Sequence, residues 1–192
     1  MEVDIGQIAA AWFDFVRNKM FYVDVNYFCL EEMLKNALLT DRASCLSKHV
    51  LLGGNLSVLG CDVNYLLFPF RWADLPVDYP RKLIELAIQL PETRHLAITV
   101  KQSSQVRFLD ATWDPPLGSA GFHVNSCSDA ILENAVVPCG EPMEFTDVDS
   151  LLVARRKRFT KRSSKENALF LEFYPVLNDW LDSVRASFKS SG

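Results

Sequence analysis

Ile5, Ile8, Ala9, Trp12 and Val16 recur at three- and four-residue intervals, which places them on one face of a helix over residues 4 to 18. Tyr22 to Phe28 is aromatic-rich and reads as an ordered loop or short strand, and a second helix follows from Leu30 to Leu39. A third helix opens at Cys45, with Asp41 or Ser44 as the capping residue and Leu46, Val50, Leu51 and Val58 as its apolar side. Gly60 stops it, and Asp62 to Phe70 continues as a strand. Pro80 suits the first residue of a helix through Leu90, which Pro91 closes. Arg94 to Val100 and Val106 to Thr112 read as strands of a hairpin. After Pro116 the chain is irregular through Asp147, with Val136 and Val137 as part of a short strand. Phe170, Tyr174, Leu177, Leu181, Val184 and Phe188 then predict a long C-terminal helix, which Pro175 should kink or split.

The 192 residues suffice for one domain with a full-sized core, and Trp12, Phe15, Leu51, Leu52, Leu59 and Leu109 are expected in it. The net charge of −4 gives no general attraction to nucleic acid, and no stretch approaches the roughly 20 apolar residues of a membrane span. The N-terminus carries acidic residues where a secretory signal needs basic ones. Five widely spaced cysteines suit free thiols in a reducing compartment, so the expected location is cytoplasmic. Charge is uneven: the segment from Arg155 to Lys165 holds seven basic residues and no acidic one, leaving −11 on the rest. It reads as a solvated helix end or loop, with docking of an acidic partner or nucleic acid as the alternative. His123, Cys127 and Cys139 match no common zinc spacing, so no metal or other cofactor is expected.

Cys45 is the candidate with chemistry. A thiol in the first turn of a helix meets unpaired amides and the positive end of the macrodipole, both of which favour the thiolate. Taken alone, the same residue also reads as a buried helix cysteine. The hairpin carries two further titratable candidates, His95 and Asp110. A turn centred on Gln102 and Ser103 sets His95 opposite Asp110. A two-residue change of register leaves them diagonal neighbours on one face, and a one-residue slip separates them.

The order of these features resembles the transglutaminase-like superfamily. It comprises Phe15, Val16, Arg17 and Tyr22 at a helix end; Cys45 at a helix start with Lys48 three residues on; Leu59 and Gly60 before a strand; His95 opening a strand; and Asp110, Thr112 and Trp113. The resemblance covers residues 8 to 116. It implies an α+β, papain-like fold in a single domain over residues 1 to 192. A central helix carrying the cysteine packs on a small antiparallel sheet, with residues 117 to 192 as an irregular segment plus the C-terminal helix. It also implies a catalytic triad of Cys45, His95 and Asp110, with the Cys45 amide in the oxyanion hole and a side-chain donor among Tyr22, Asn26 and Trp72. Lys48 is expected to pair with a carboxylate, His49 and Cys61 to pack, and Asp114 to serve a turn. Two positions depart from the pattern: Ser44 stands where a glycine is usual, and Ala97 where a tryptophan would flank the histidine, which should open space there.

The function so implied is a cysteine-dependent amide hydrolase or acyltransferase working through a thioester on a peptide or protein substrate. The alternative is a catalytically inactive module of the same fold that binds a protein partner.

Overall fold

The computed structural model of the chain describes residues 5–23, 30–102, 105–129 and 132–190. Within these, helix α1 (Ile5–Asn18) leads to the two-residue strand β1 (Met20–Phe21), helix α2 (Leu30–Leu39) to strand β2 (Arg42–Ala43), and helix α3 (Cys45–Val58) to strand β3 (Asp62–Phe70). Helix α4 (Arg81–Ala87), the hairpin β4 (Thr93–Gln102) and β5 (Gln105–Leu109), strand β6 (Met143–Phe145), helix α5 (Val148–Phe159) and helix α6 (Ser164–Ser190) complete the α+β architecture. Asn26 and most of the expected 22–28 segment lie outside the described residues.

Helix α3 is the centre. Nine of its fourteen residues are buried, among them Ser47, Lys48 and His49, so it is surrounded rather than laid on a surface. Ser44 is its N-cap: its hydroxyl accepts from the Ser47 amide, and the Ser47 hydroxyl accepts from the Ser44 amide. At the other end Gly60 adopts φ +83°, the Cys61 amide donates to the Leu56 carbonyl and the Gly60 amide to that of Ser57. These two bonds are the Schellman closure that a left-handed residue permits. Val58, placed by its periodicity on the apolar side, is instead 87% exposed beside this stop.

The antiparallel sheet runs β5–β4–β3–β6, and the parallel pair β1–β2 stands apart from it. On β3, Val63, Tyr65 and Leu67 turn inward against α3 and α1, as the two-residue period requires. The β4–β5 register pairs Val100 with Arg107 and Gln102 with Gln105, two residues from a turn at Gln102 and Ser103. The hydrogen-bonded ladder ends at Ile98 and Leu109, so His95 and Asp110 lie just past it, diagonal on one face.

Two apolar clusters meet at the start of α3. One gathers Phe13, Val16, Leu52, Leu56 and Ile98 between α1, α3 and the sheet. The other gathers Phe70, Trp72, Leu83, Trp113, Phe173, Leu177 and Leu181, so α6 supplies core and is no appendage. Leu51 and Leu52 are buried as expected, and Trp12, Leu59 and Leu109 partly so. Phe15 is 46% exposed, because α1 turns Phe13 and Val16 inward and leaves Phe15 on the outer face against Trp12 and Lys19.

Helix α6 continues through Pro175 from Ser164 to Ser190 and is not split. Pro175 sits on its exposed side, and the carbonyl it leaves without a donor, that of Leu171, belongs to an exposed residue where water can serve. Val136 and Val137 form no strand; the neighbouring Pro138 makes an isolated bridge to Phe70. Among the described residues no helix is long and apolar enough to cross a membrane.

Candidate active site

Cys45, the first residue of α3, lines a cavity of about 750 Å³ together with His95 of β4. The Nε2 of His95 is 2.7 Å from Asp110 Oδ2, and the ring lines the cleft beside Cys45, close enough for the thiol and the imidazole to act on each other's charge. Cys45 remains partly accessible, whereas His95 is 2% and Asp110 1% exposed. The three residues read from the sequence therefore come together, with Cys45 and His95 in the lining of the cleft and Asp110 outside that lining.

The carboxylate is held on every side. Oδ2 also accepts from the Ala135 amide (2.8 Å), while Oδ1 accepts from the Thr112 hydroxyl (2.6 Å) and amide (3.2 Å). Thr112 is thus a positioning residue, and its place two residues after the aspartate is a recognisable signal. Ala135 and Asn125, whose side-chain amide donates to the Asp110 carbonyl at 2.9 Å, were not legible, because they arrive from the irregular segment.

Charge follows from these contacts. Burial pushes the Asp110 carboxyl up, but the imidazole of His95 and the donors around it outweigh burial and hold it well below the usual carboxylate range. Burial pulls His95 down, yet the charge and hydrogen bond of Asp110, with help from Cys45, push it up to about 10. For Cys45 burial acts upward, and the hydrogen bond and charge of His95 with the Leu96 backbone prevail, so its thiol lies below the ordinary value. A lowered thiol beside a raised imidazole is the condition for a thiolate–imidazolium pair.

The second buried histidine is different. The Ala111 amide must donate to His49 Nε2 (2.9 Å), so the proton is on Nδ1, which donates to the Cys45 carbonyl (2.8 Å). Both nitrogens are used by the neutral ring, and burial lowers its pKa to about 4. The 3.5 Å approach of Nε2 to Asp110 Oδ1 is therefore no ion pair. His49 bolts the start of α3 to the chain after β5 and sets the height of Cys45 relative to Asp110.

Lys48 corrects an expectation. Its ammonium donates to the carbonyls of Arg17 (2.9 Å) and Thr112 (2.7 Å) and, among the described residues, to no carboxylate, and burial brings its pKa down to about 7. Asp114 likewise does more than turn the chain. It precedes a short 3-10 turn (Pro115–Ala120) without capping it and receives Arg185 of α6 through two 2.8 Å bonds, while its Oδ1 also accepts from the Phe21 amide.

Ala97 is fully buried and is not part of the cavity lining, so the missing tryptophan leaves no added space in the cleft. Of the three expected side-chain donors, Asn26 lies outside the described residues and Tyr22 does not line the cavity. Trp72 does line it, and its buried indole N–H lies toward the Tyr174 hydroxyl without a hydrogen bond of ordinary geometry within the described residues. His123, Cys127 and Cys139 sit with separate partners, Asn125, Asp14 and Glu92. Among the described residues no group of three or more His, Cys, Asp or Glu is gathered to hold a metal.

The chain matches no family model, no curated protein and no solved structure.

Proposed function

We propose that this chain is a cysteine-dependent amide hydrolase or acyltransferase with a transglutaminase-like, papain-like fold. The observation that carries the reading is the buried His95, whose Nε2 Asp110 fixes at 2.7 Å and which lines one cleft with Cys45 at a helix start. A bland buried cysteine needs no such partner and would not open onto a cavity.

In this reading the Cys45 proton resides on His95, and the thiolate attacks the carbonyl carbon of an amide. The carbonyl electron pair moves to oxygen, where the Cys45 amide, free of intrahelical partners, and the Trp72 indole N–H stabilise it. As the intermediate collapses, the carbon–nitrogen bond breaks and the imidazolium gives its proton to the departing amine, leaving a thioester on Cys45. Neutral His95 then takes a proton from water or an amine, whose attack on the thioester carbonyl expels the thiolate. Water gives hydrolysis and an amine gives transfer. Asp110 keeps the ring in one orientation throughout and stabilises its cation.

Iodoacetamide rates at Cys45 across pH test this without a substrate. Fast alkylation is expected well below the ordinary thiol value of about 8.5. His95→Ala should move the midpoint up toward that value, and Asp110→Ala should move it up by less. Three superimposable profiles would mean that no relay operates, and the inactive binding module would be the better reading.

A further inference from the structure

The basic segment flagged in the sequence is not a solvated helix end alone. Residues of α5 and of the turn into α6 form one wall of the Cys45 cleft, and Arg155, Lys157, Arg158, Lys161 and Arg162 all line it. Among the described residues Asp149 is the sole acidic one in the lining. The floor below is apolar and aromatic, with Phe70, Trp72 and Trp113 among its residues.

These cations are not equivalent. Arg158 and Arg94 share Glu92, at 3.4 and 2.6 Å, and Arg162 is spread over the rings of Phe159 and Phe170, at 4.5 and 3.9 Å. Lys157 and Lys161 are exposed to solvent. Arg155 is partly buried, with its guanidinium over the Phe159 ring at 5.5 Å and no carboxylate within ion-pair distance among the described residues. It lies close enough to Cys45 for a thiolate there to act on it electrostatically. A guanidinium withdrawn from water with five donors and no anion costs free energy, and an incoming anion in the cleft returns it.

We propose that the cleft takes an acyl donor carrying an anionic group, carboxylate or phosphate, beside the bond to be broken, and that Arg155 holds that group. The apolar floor receives the body of the donor, and the exposed lysines draw it in from solution. This rests on Cys45 being the nucleophile, and it adds the substrate class.

The test compares two alkylating reagents of similar size on the full chain, anionic iodoacetate and neutral iodoacetamide. The rate ratio cancels the thiolate fraction, so it reports attraction of the anion rather than activation of the sulphur. Relative to N-acetylcysteine, Cys45 should favour iodoacetate by roughly fivefold or more at low salt, and the preference should shrink as salt rises. Arg155→Gln should remove most of the preference, leaving only the small salt-sensitive part due to the exposed lysines, and Arg155→Lys should keep more of it. If Arg155→Gln slows both reagents equally, Arg155 serves only the thiolate, and the proposal is overturned. A native ratio equal to that of the small thiol overturns it too, while fast iodoacetamide alkylation leaves the nucleophile reading standing. Sluggish reaction with both reagents removes the nucleophile reading and this inference with it. Protection of Cys45 from iodoacetamide by short acetylated peptide amides identifies the anion. Stronger protection by a glutamate peptide than by its glutamine counterpart supports a carboxylate, and stronger protection by a phosphoserine peptide supports a phosphate. Equal protection by all three overturns the proposal.

Discussion

At the scale of single residues, the site is defined by two buried histidines in opposite charge states, with ring centroids 6.0 Å apart. His95 gains a carboxylate and holds its proton to about pH 10; His49 gains only a backbone donor and a backbone acceptor and stays neutral down to about pH 4. Nitrogen-detected NMR at pH 7 should therefore show His95 doubly protonated and His49 as the Nδ1–H tautomer; both rings neutral would contradict the electrostatics described. The two act on stability with opposite signs. A raised cation stabilises below its unfolded value, so the His95 contribution is full below about 6.5 and lost as pH rises toward 10. A lowered one stabilises above its unfolded value, so the His49 contribution is lost as pH falls from about 6.5 toward 4. Trp72→Phe removes one donor from the cleft while keeping most of its ring packing. Acyl transfer in that variant should fall on the order of 10²-fold with Cys45 alkylation unchanged, as expected for a group that acts only on the oxyanion.

At the scale of elements, helix α3 carries two adjacent glycines in different surroundings. A methyl group on Gly53 would meet the buried Tyr65 hydroxyl at 2.7 Å and its ring at 3.1 Å, whereas one on Gly54 would meet nothing within 4 Å. Gly53→Ala should destabilise the protein by about 1–3 kcal/mol through overpacking against β3. Gly54→Ala should stabilise it by about 0.5–1 kcal/mol through helix propensity. Denaturant unfolding of the pair checks both, and equal signs would mean that α3 does not pack against β3 as described. Leu52, fully buried in the same helix, should cost about 2–5 kcal/mol as alanine. Cys45→Ala should leave stability nearly unchanged, because the sulphur faces the cleft.

At the scale of the whole molecule, one buried ion pair fastens the C-terminal helix to the reacting end of the fold. Arg185 of α6 reaches both oxygens of Asp114 and the Phe21 carbonyl, and Asp114 in turn accepts the Phe21 amide. The helix N-terminal to it fills the second apolar cluster with Phe170, Phe173, Leu177 and Leu181. Removing Arg185 leaves a buried carboxylate unpaired, so Arg185→Ala should cost about 3–5 kcal/mol. Truncation after residue 163 should abolish the cooperative thermal transition altogether, since Trp72 and Trp113 would lose the wall they pack on. A truncated chain that still unfolds cooperatively would show α6 to be an appendage.

The four helices and strands β3 to β5 up to Leu109 were legible in the sequence, whereas the short pair β1–β2 was not, because local signals such as the Ser44 cap, the Gly60 stop and the period of β3 act over a few residues and a two-residue strand carries none. Cys45, His95 and Asp110 were singled out by the order of motifs along the chain, and not by local signals, which for Cys45 fit a buried helix cysteine equally well. Which register joined His95 to Asp110 was decided by tertiary packing, since the hairpin offers no strong turn signal and both registers leave the pair on one face. The inward turn of Phe13 rather than Phe15, the role of Asp114 and the seating of the basic segment over the cleft were likewise decided in three dimensions. Each depends on a partner more than 30 residues away, helix α3, Arg185 or Cys45, and no periodicity in the chain encodes such a contact.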